Sequence, residues 1–326
     1  MSHPRANTLP GAASDDVVLP FQAERSGVMG RLVRLGAAVH EVLTRHDYPD
    51  PVSQVLGEAL ALTSMLGTTM KDGAKLILQT QTDGPLRLLV VNYESPGQFR
   101  GYARFDRDRV AGIDAKDQGR LLGRGHLALT IDLGARTEPY QGIVALEGET
   151  LAQAALTYFQ RSAQLPTFLR LAVARHFVAG GPARGTWRAG GLLLQHLSPE
   201  RGDQYKGAHI APDQTPVSHD EAWEGTRMLA STVEDHELLD PTLAPERLLY
   251  RLFHEEGVRV YQTHAMAMRC RCSRDRIERM LQMFSATDVA DMTEPDGSIA
   301  VTCEFCTQTQ RFSGADLVVL QATASR

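Results

Sequence analysis

The residues best suited to chemistry are the four cysteines, all within the last sixty positions: Cys270-x-Cys272, thirty intervening residues, then Cys303-x-x-Cys306. Two close pairs of soft thiolates on separate turns can close a tetrahedron around Zn²⁺ at about 2.3 Å per sulfur. Four such ligands leave no open position, so the pattern points to a closed site and away from a catalytic zinc with bound water. A purely structural zinc ribbon and a redox-active site both satisfy it. The first pair argues against a mere ribbon, because structural knuckles usually carry two to four spacer residues, whereas C-x-C holds its thiols close together on an extended stretch. Arg269, Arg271, Arg274 and Arg276 crowd this pair. Cations there stabilise thiolate, the form that ligates metal and meets oxidants, and they equally offset the surplus negative charge of four thiolates on Zn²⁺.

Other reaction classes lack their motifs, and no enzymatic turnover is expected. The sequence holds no G-x-x-x-x-G-K-[ST] phosphate loop, no G-x-G-x-x-G fingerprint and no G-x-S-x-G elbow. His254-Glu255-Glu256 begins like a metalloprotease helix, but Val258 stands where the second histidine is required. The alternative of a thiol-disulfide oxidoreductase would place Cys303-Glu304-Phe305-Cys306 at a helix N-terminus after a strand. The motif instead comes late in a small unit and shares it with a second cysteine pair.

Stepping outward from the cysteines, residues 258–326 read as that unit. Ser273 can cap a helix with a stripe of Ile277, Met280, Leu281 and Phe284, and Ser285 with Asp288 starts another. Pro295-Asp296-Gly297 is a turn, and 299–302 with 307–312 form a hairpin around the second pair. So few large apolar groups give a marginal core, and the cysteines are its staple.

Upstream, residues 1–198 read as an α+β core domain, with its folded part beginning near residue 15. Leu32, Leu35, Val39, Val42 and Leu43 make one helical stripe. Val52, Val55, Leu56, Ala59 and Leu60 make a second, with Asp50 as N-cap and Pro51 as first helical residue. Strand-like runs follow at 75–81, 86–93, 99–105 and 126–133. Beyond Ile143 the order is strand, helix after Thr150, strand through Leu169, Leu171 and Val173, and strand at 190–194. Helices and strands do not alternate strictly, which favours α+β over a doubly wound parallel sheet.

Between these parts, residues 199–257 read as an acidic, metastable helical linker. From Glu200 to Asp240 ten acidic residues face three basic ones, a net −7 against −5 for the whole chain. Gly202, Gly207, Pro212 and Pro216 suggest a loop. Trp223, Met228, Leu229 and Val233 lie in a weakly amphipathic helix, and Leu248, Leu249, Leu252 and Phe253 in a stronger one stopped by Gly257. A segment this acidic self-repels and buries little surface, so its helices hold only while docked. Those eight apolar residues are the candidates for contact with other proteins once it comes loose.

The overall charge offers no basic footprint for nucleic acid. A zinc-ribbon module binding nucleic acid would also want stacking aromatics, and Phe305 is almost the only one beside the cysteines. The N-terminal residues lack the apolar run of a secretory signal and no stretch is long enough to span a bilayer, so the cytoplasm is the expected compartment and no membrane partner is expected.

Leu252-Phe-His-Glu-Glu-Gly-Val-Arg-Val, Cys270-Arg-Cys-Ser-Arg, and Glu294-Pro-Asp-Gly-Ser-Ile-Ala-Val-Thr-Cys-Glu-Phe-Cys306 resemble the heat shock protein 33 family of bacterial redox-regulated chaperones. His46-Asp-Tyr-Pro, Tyr140-Gln-Gly-Ile-Val-Ala-Leu-Glu-Gly-Glu-Thr, Tyr158-Phe-Gln-Arg-Ser-Ala-Gln-Leu-Pro-Thr and Ala189-Gly-Gly-Leu-Leu-Leu-Gln resemble its core segments. The resemblance implies a reduced, inactive state holding one Zn²⁺ per chain on Cys270, Cys272, Cys303 and Cys306. It also implies that oxidants form disulfides, release zinc, unfold the small domain and then the linker, and expose surface that holds unfolding client proteins without ATP. Oxidised members tend to form homodimers. Within that scheme the disulfides are expected between sequence neighbours, Cys270–Cys272 and Cys303–Cys306, since local closure is entropically cheapest.

Overall fold

The computed structural model describes residues 15–134, 137–196, 219–313 and Asp316, and the chain divides between Met268 and Arg269 into two compact units. The larger begins with β1 (Val17–Ala23), β2 (Met29–Leu35), α1 (Ala37–Thr44) and α2 (Asp50–Gly67). Next come β3 (Lys75–Thr82), β4 (Leu86–Glu94), β5 (Gln98–Phe105), the short α3 (Arg107–Val110) and α4 (Gln118–Leu122), β6 (Arg124–Asp132) and β7 (Tyr140–Glu147). After α5 (Leu151–Tyr158) and strands β8 (Thr167–His176) and β9 (Thr186–Gln195) stand α6 (His219–Ser231), α7 (Asp235–Leu239) and α8 (Pro245–Phe253). Three short strands, β10 (Val258–Val260), β11 (His264–Ala265) and β12 (Ala267–Met268), complete it. The loop expected around Gly202, Gly207, Pro212 and Pro216 lies outside the described residues.

One sheet runs β10-β1-β2-β9-β8, with β11 also on β1, and the other β12-β5-β4-β3-β6-β7. The fold is α+β: the pairing is antiparallel throughout both sheets except where β12 runs parallel to β5. Helix α2 packs against strands of both sheets. Its Val52, Val55, Leu56, Ala59, Leu60 and Met65 share a core with Leu78 and Val91 of one sheet and Val33 and Leu193 of the other. Contact on two sides explains why this helix is apolar nearly all round.

Strand β9 is buried on both faces. Trp187, Ala189 and Leu193 join the α2 core, while Leu192 and Leu194 alternate with them into a second apolar cluster with α6, α7 and α8. Its two central glycines serve opposite faces. A Cβ on Gly190 would stand 2.6 Å from the Leu238 carbonyl oxygen of α7, and one on Gly191 would stand 2.9 Å from the Leu171 side chain and 3.1 Å from Met65 of α2. Glycine is required at both so that helices can lie close on either side.

The structure corrects four local expectations. Leu32 and Leu35 belong to β2 and not to the first helix, which starts at Ala37. Strand β2 is covered on both sides, and a run buried on both faces loses the alternation that marks a strand. The N-cap of α2 is Pro49, and Asp50 instead pairs with Arg175 at 2.7 Å. Residues 258–268, expected in the cysteine unit, are edge strands of the larger one: β10 and β11 pair with β1, and β12 with β5. In the linker, Met228 points outward at 66% exposure, whereas Trp223 and Val233 are buried.

One carboxyl in the core sets a pH dependence. Burial pushes Glu58 of α2 up to about 7 from an ordinary 4.5, a rise only partly countered by the hydrogen bond that it accepts from the Gln118 side chain at 2.7 Å. A folded-state value above the unfolded one means that stability is complete below pH 4.5 and falls as pH rises to about 7. The loss above that window is roughly 3 kcal/mol at most. Glu58→Gln keeps the acceptor and loses the titration, so its melting temperature at pH 8 should exceed that of the parent while the two converge near pH 4. Parallel melting curves across this range would show that Glu58 carries no such cost.

Candidate metal centre

The smaller unit contains α9 (Arg274–Leu281), α10 (Ala286–Asp291) and the hairpin β13 (Ile299–Thr302) with β14 (Thr309–Phe312). Both helices start as their sequences dictate. Ser273 accepts the Arg276 N–H, and Ser285 and Asp288 form a reciprocal capping box. The apolar core is small: Ile277, Leu281, Val289, Ile299 and Phe312, with Met292 and Val301 against it. Of the stripe expected on α9, only Ile277 and Leu281 are buried, and Met280 and Phe284 are 39% and 43% exposed.

The cysteines stand at the two ends of this framework. Cys270 and Cys272 lie on the extended segment that enters α9 through its Ser273 cap. Cys303 and Cys306 lie in the turn of the β13–β14 hairpin, closed by Cys303 N–H to Gln308 O at 3.0 Å and Thr307 N–H to Cys303 O at 2.8 Å. Thr307 adopts a left-handed φ of 60°, which turns the chain back behind the second cysteine pair. These contacts bring together residues separated by thirty positions.

All four are free thiols, and their Sγ atoms lie within 4.8 Å of one another. Cys270 Sγ is 3.5 Å from Cys303 Sγ, and Cys272 Sγ is 3.1 Å from Cys306 Sγ. A tetrahedron with sulfurs about 2.3 Å from its centre has S···S edges of about 3.8 Å, so the four sulfurs fit a closed thiolate site for one soft divalent ion. The site's polarity is uneven. Burial pushes the Cys270 thiol up, but the Cys272 backbone N–H and the surrounding sulfurs outweigh it and bring Cys270 down to about 7. Burial and the neighbouring Cys306 and Cys270 raise Cys272, and burial raises Cys306 although Cys272 and the Gln308 N–H oppose it. Such N–H groups aimed at sulfur favour the thiolates that a metal requires.

The arginines beside the first pair divide by role. Arg274 is a strut: it stacks over Phe312 at 4.5 Å, pairs with Glu278 and Asp316 at 3.1 and 3.0 Å, and donates to the Arg311 carbonyl at 2.9 Å. Arg271 is partly buried with Arg276 nearby, and both effects lower its affinity for its proton. The largest influences on Cys270 are burial, a backbone amide and sulfurs rather than these side chains.

Of the eight apolar linker residues, seven pack in or against the second cluster of the larger unit and only Met228 stands out. The sequence reading missed Arg34 and Arg188, which are buried beneath that linker. The available signal was their phase: Arg34 alternates with Leu32, and Arg188 with Leu192 and Leu194, so each sits at an apolar-face position.

The family model described as Hsp33 protein matches residues 16–313. The chain is 46% identical to the 33 kDa chaperonin of Caulobacter vibrioides over 298 residues, covering 90% of this chain and 93% of that one. It is 36% identical to the 33 kDa chaperonin of Pectobacterium carotovorum over 310 residues, covering 95% and 97%. Among solved structures, the 33 kDa chaperonin of Thermotoga maritima superposes with a TM-score of 0.74 at 21% identity, covering 95% of this chain and 99% of that one, a likeness of fold.

Proposed function

The chain belongs to the Hsp33 protein family, and on that premise we propose that it is a redox-regulated, ATP-independent holdase, a chaperone that binds unfolding proteins without turning them over. The observation that carries the reading is the gathering of all four cysteine sulfurs within 4.8 Å in a unit whose buried apolar cluster, among the described residues, is five side chains. Such a unit depends on its metal site, and the site depends on reduced sulfur.

In the reduced state Cys270, Cys272, Cys303 and Cys306 would hold one Zn²⁺, which would supply the cross-link between the α9 entry and the hairpin turn. Oxidation then removes ligands in pairs. A peroxide converts one thiol to a sulfenic acid with release of water, and a second thiol displaces that hydroxyl as water to form the disulfide. Each pair of thiols gives up two electrons and two protons as its disulfide forms, and the peroxide takes them. Cys270–Cys272 and Cys303–Cys306 bonds leave no covalent tie between the two halves of the unit. With the cross-link gone the unit unfolds and the linker helices then come loose, so that their apolar faces together with the sheet beneath them meet client proteins. The holdase acts in the cytoplasm, where reduced thiols are the resting condition, and its oxidised form associates as a homodimer. Among the described residues no helix is long and apolar enough to cross a membrane.

The oxidoreductase alternative finds no support in the hairpin: Cys306 leads through Thr307 into β14, not into a helix whose N-terminus would activate a thiolate.

The deciding experiment oxidises the zinc-loaded protein with peroxide under mild heat and follows zinc release, disulfide mapping and suppression of aggregation of a heat-denatured client. The expected result is coincident zinc release and activity, with disulfides mainly between sequence neighbours. Zinc release without client protection would defeat the holdase reading, and catalytic turnover of a small dithiol would favour the oxidoreductase.

A further inference from the structure

Three adjacent strands present arginines to the linker. Arg34 of β2 and Arg188 of β9 are 1% and 7% exposed, and Arg170 of β8 lies at the rim. Arg34 donates to the carbonyl oxygens of Leu243 and of Glu237, the latter at 2.8 Å. The Arg188 Nε–H donates to the carbonyl of Leu239 at 2.7 Å, and its two Nη groups grip Asp15 at 2.8 and 2.6 Å. Arg170 pairs with Asp235 at 2.7 Å, at the opposite end of α7.

These contacts solve a specific problem. A helix of five residues cannot sustain itself in water, and its last carbonyls have no partner within the helix. No glycine follows α7 to close it. Its C-cap is Asp240 in extended conformation. The two buried guanidiniums supply the missing donors from below. Gly190 adjoins both in the sheet: it pairs with Arg34 of β2 and stands two residues along β9 from Arg188. Its missing side chain lets the Leu238 carbonyl settle where a Cβ would stand only 2.6 Å away.

We propose that Arg34 and Arg188, with Gly190 as their seat, form the latch that keeps the linker docked on the sheet and so keeps the chaperone off. The proposal rests on the reading of linker release as the activating step and names the positioning residues that govern it. Two like charges buried side by side, with Asp15, Asp240 and Glu246 as the nearby counter-charges, are poorly solvated while the linker is down. Release restores water to both guanidiniums and to the three carbonyls, so the contact is firm in geometry yet close to balanced in free energy. Removing an arginine spoils this balance, because the carbonyls stay buried and lose their donors.

The test measures hydrogen exchange across 219–257 in the reduced full-length chain with zinc present. Arg34→Met and Arg188→Met should each speed exchange in 235–253 by about tenfold or more, with zinc content unchanged and β3 to β6 still protected. Gly190→Ala attacks the latch sterically, without touching a charge, and should do the same. Gly191→Ala, on the opposite face, should disturb α2 and leave 235–253 as protected as the rest of the core. Arg34→Lys keeps the charge but cannot bridge two carbonyls, and it should fall between parent and Arg34→Met, which keeps the comparison open should the methionine variant fail to fold. Unchanged exchange in 235–253 in both Gly190→Ala and the folded Arg34 variant overturns the latch. Suppression of client aggregation by the same reduced variants is scored separately. Faster exchange without such activity upholds the latch and defeats linker release as the activating step.

Discussion

Chelating the metal, or replacing Cys303 with Ser, should unfold residues 269–313 while the two sheets of the larger unit, edge strands 258–268 included, stay folded. A closed cysteine site of this kind supplies about 10–16 kcal/mol of apparent folding free energy near pH 7. Among the described residues the unit has no comparable second source: five buried apolar side chains and two short helices cannot by themselves offset the entropy of ordering it. The larger unit contains two six-stranded sheets with α2 packed against both. The structure also sets where the boundary should fall. Val258–Val260 and His264–Ala265 pair with β1, Ala267–Met268 pairs with β5, and Met266 lies in the main core. Hydrogen exchange with and without chelator should therefore show protection ending between Met268 and Arg269. Equal protection of 269–313 in both conditions would refute the metal staple, and loss reaching back to Val258 would refute the boundary.

Phe253→Ala should free the linker in the reduced, zinc-bound protein. The ring is fully buried and stacks on Phe21 of β1 at 5.4 Å between centroids, and Phe21 in turn lies over Gly30, where any Cβ would strike its ring at 2.2 Å. Deleting a buried aromatic of this kind costs about 3–5 kcal/mol. Helices of thirteen, five and nine residues have little stability apart from their docking. The expected result is rapid cleavage within 219–257 by a protease, with zinc retained and client aggregation suppressed before any oxidant is added. Met228→Ala is the counterpart, since that side chain is 66% exposed and its removal should change neither property. If Phe253→Ala and the parent resist protease equally, the second cluster does not hold the linker.

The two tests act at different points of one chain of events, which makes their combination informative. Loss of the metal acts on the small unit, whereas Phe253→Ala acts on the linker with the cysteines untouched. A linker that opens only in the second case, after chelation has unfolded 269–313 without effect, would separate metal loss from linker release.

The chemistry and the local punctuation are legible in the residues alone. Sulfur is chemically distinctive, and two cysteine pairs thirty positions apart announce a closed soft-metal site whatever the fold. Ser273, Ser285 with Asp288, and Thr150 mark their helix starts because capping is a contest between a side chain and a few nearby backbone groups, whereas the helix expected to stop at Gly257 ends at Phe253. The strands from Lys75 to Asp132 were legible for a similar reason: that sheet buries one face, so the period of two survives in the sequence. The remaining features depend on long-range packing. Leu32 and Leu35 fit a helical stripe until α2 on one face and the linker helices on the other cover β2, and residues 258–268 join the larger unit only because two sheet edges are open beside them. Whether an apolar linker residue is buried, as Phe253 is, or exposed, as Met228 is, depends on which helix face meets the sheet. The same holds for Arg34 and Arg188. An arginine in a strand reads as solvent-facing, and only a helix end laid across the sheet, with carbonyls lacking partners of their own, gives a buried guanidinium something to hold.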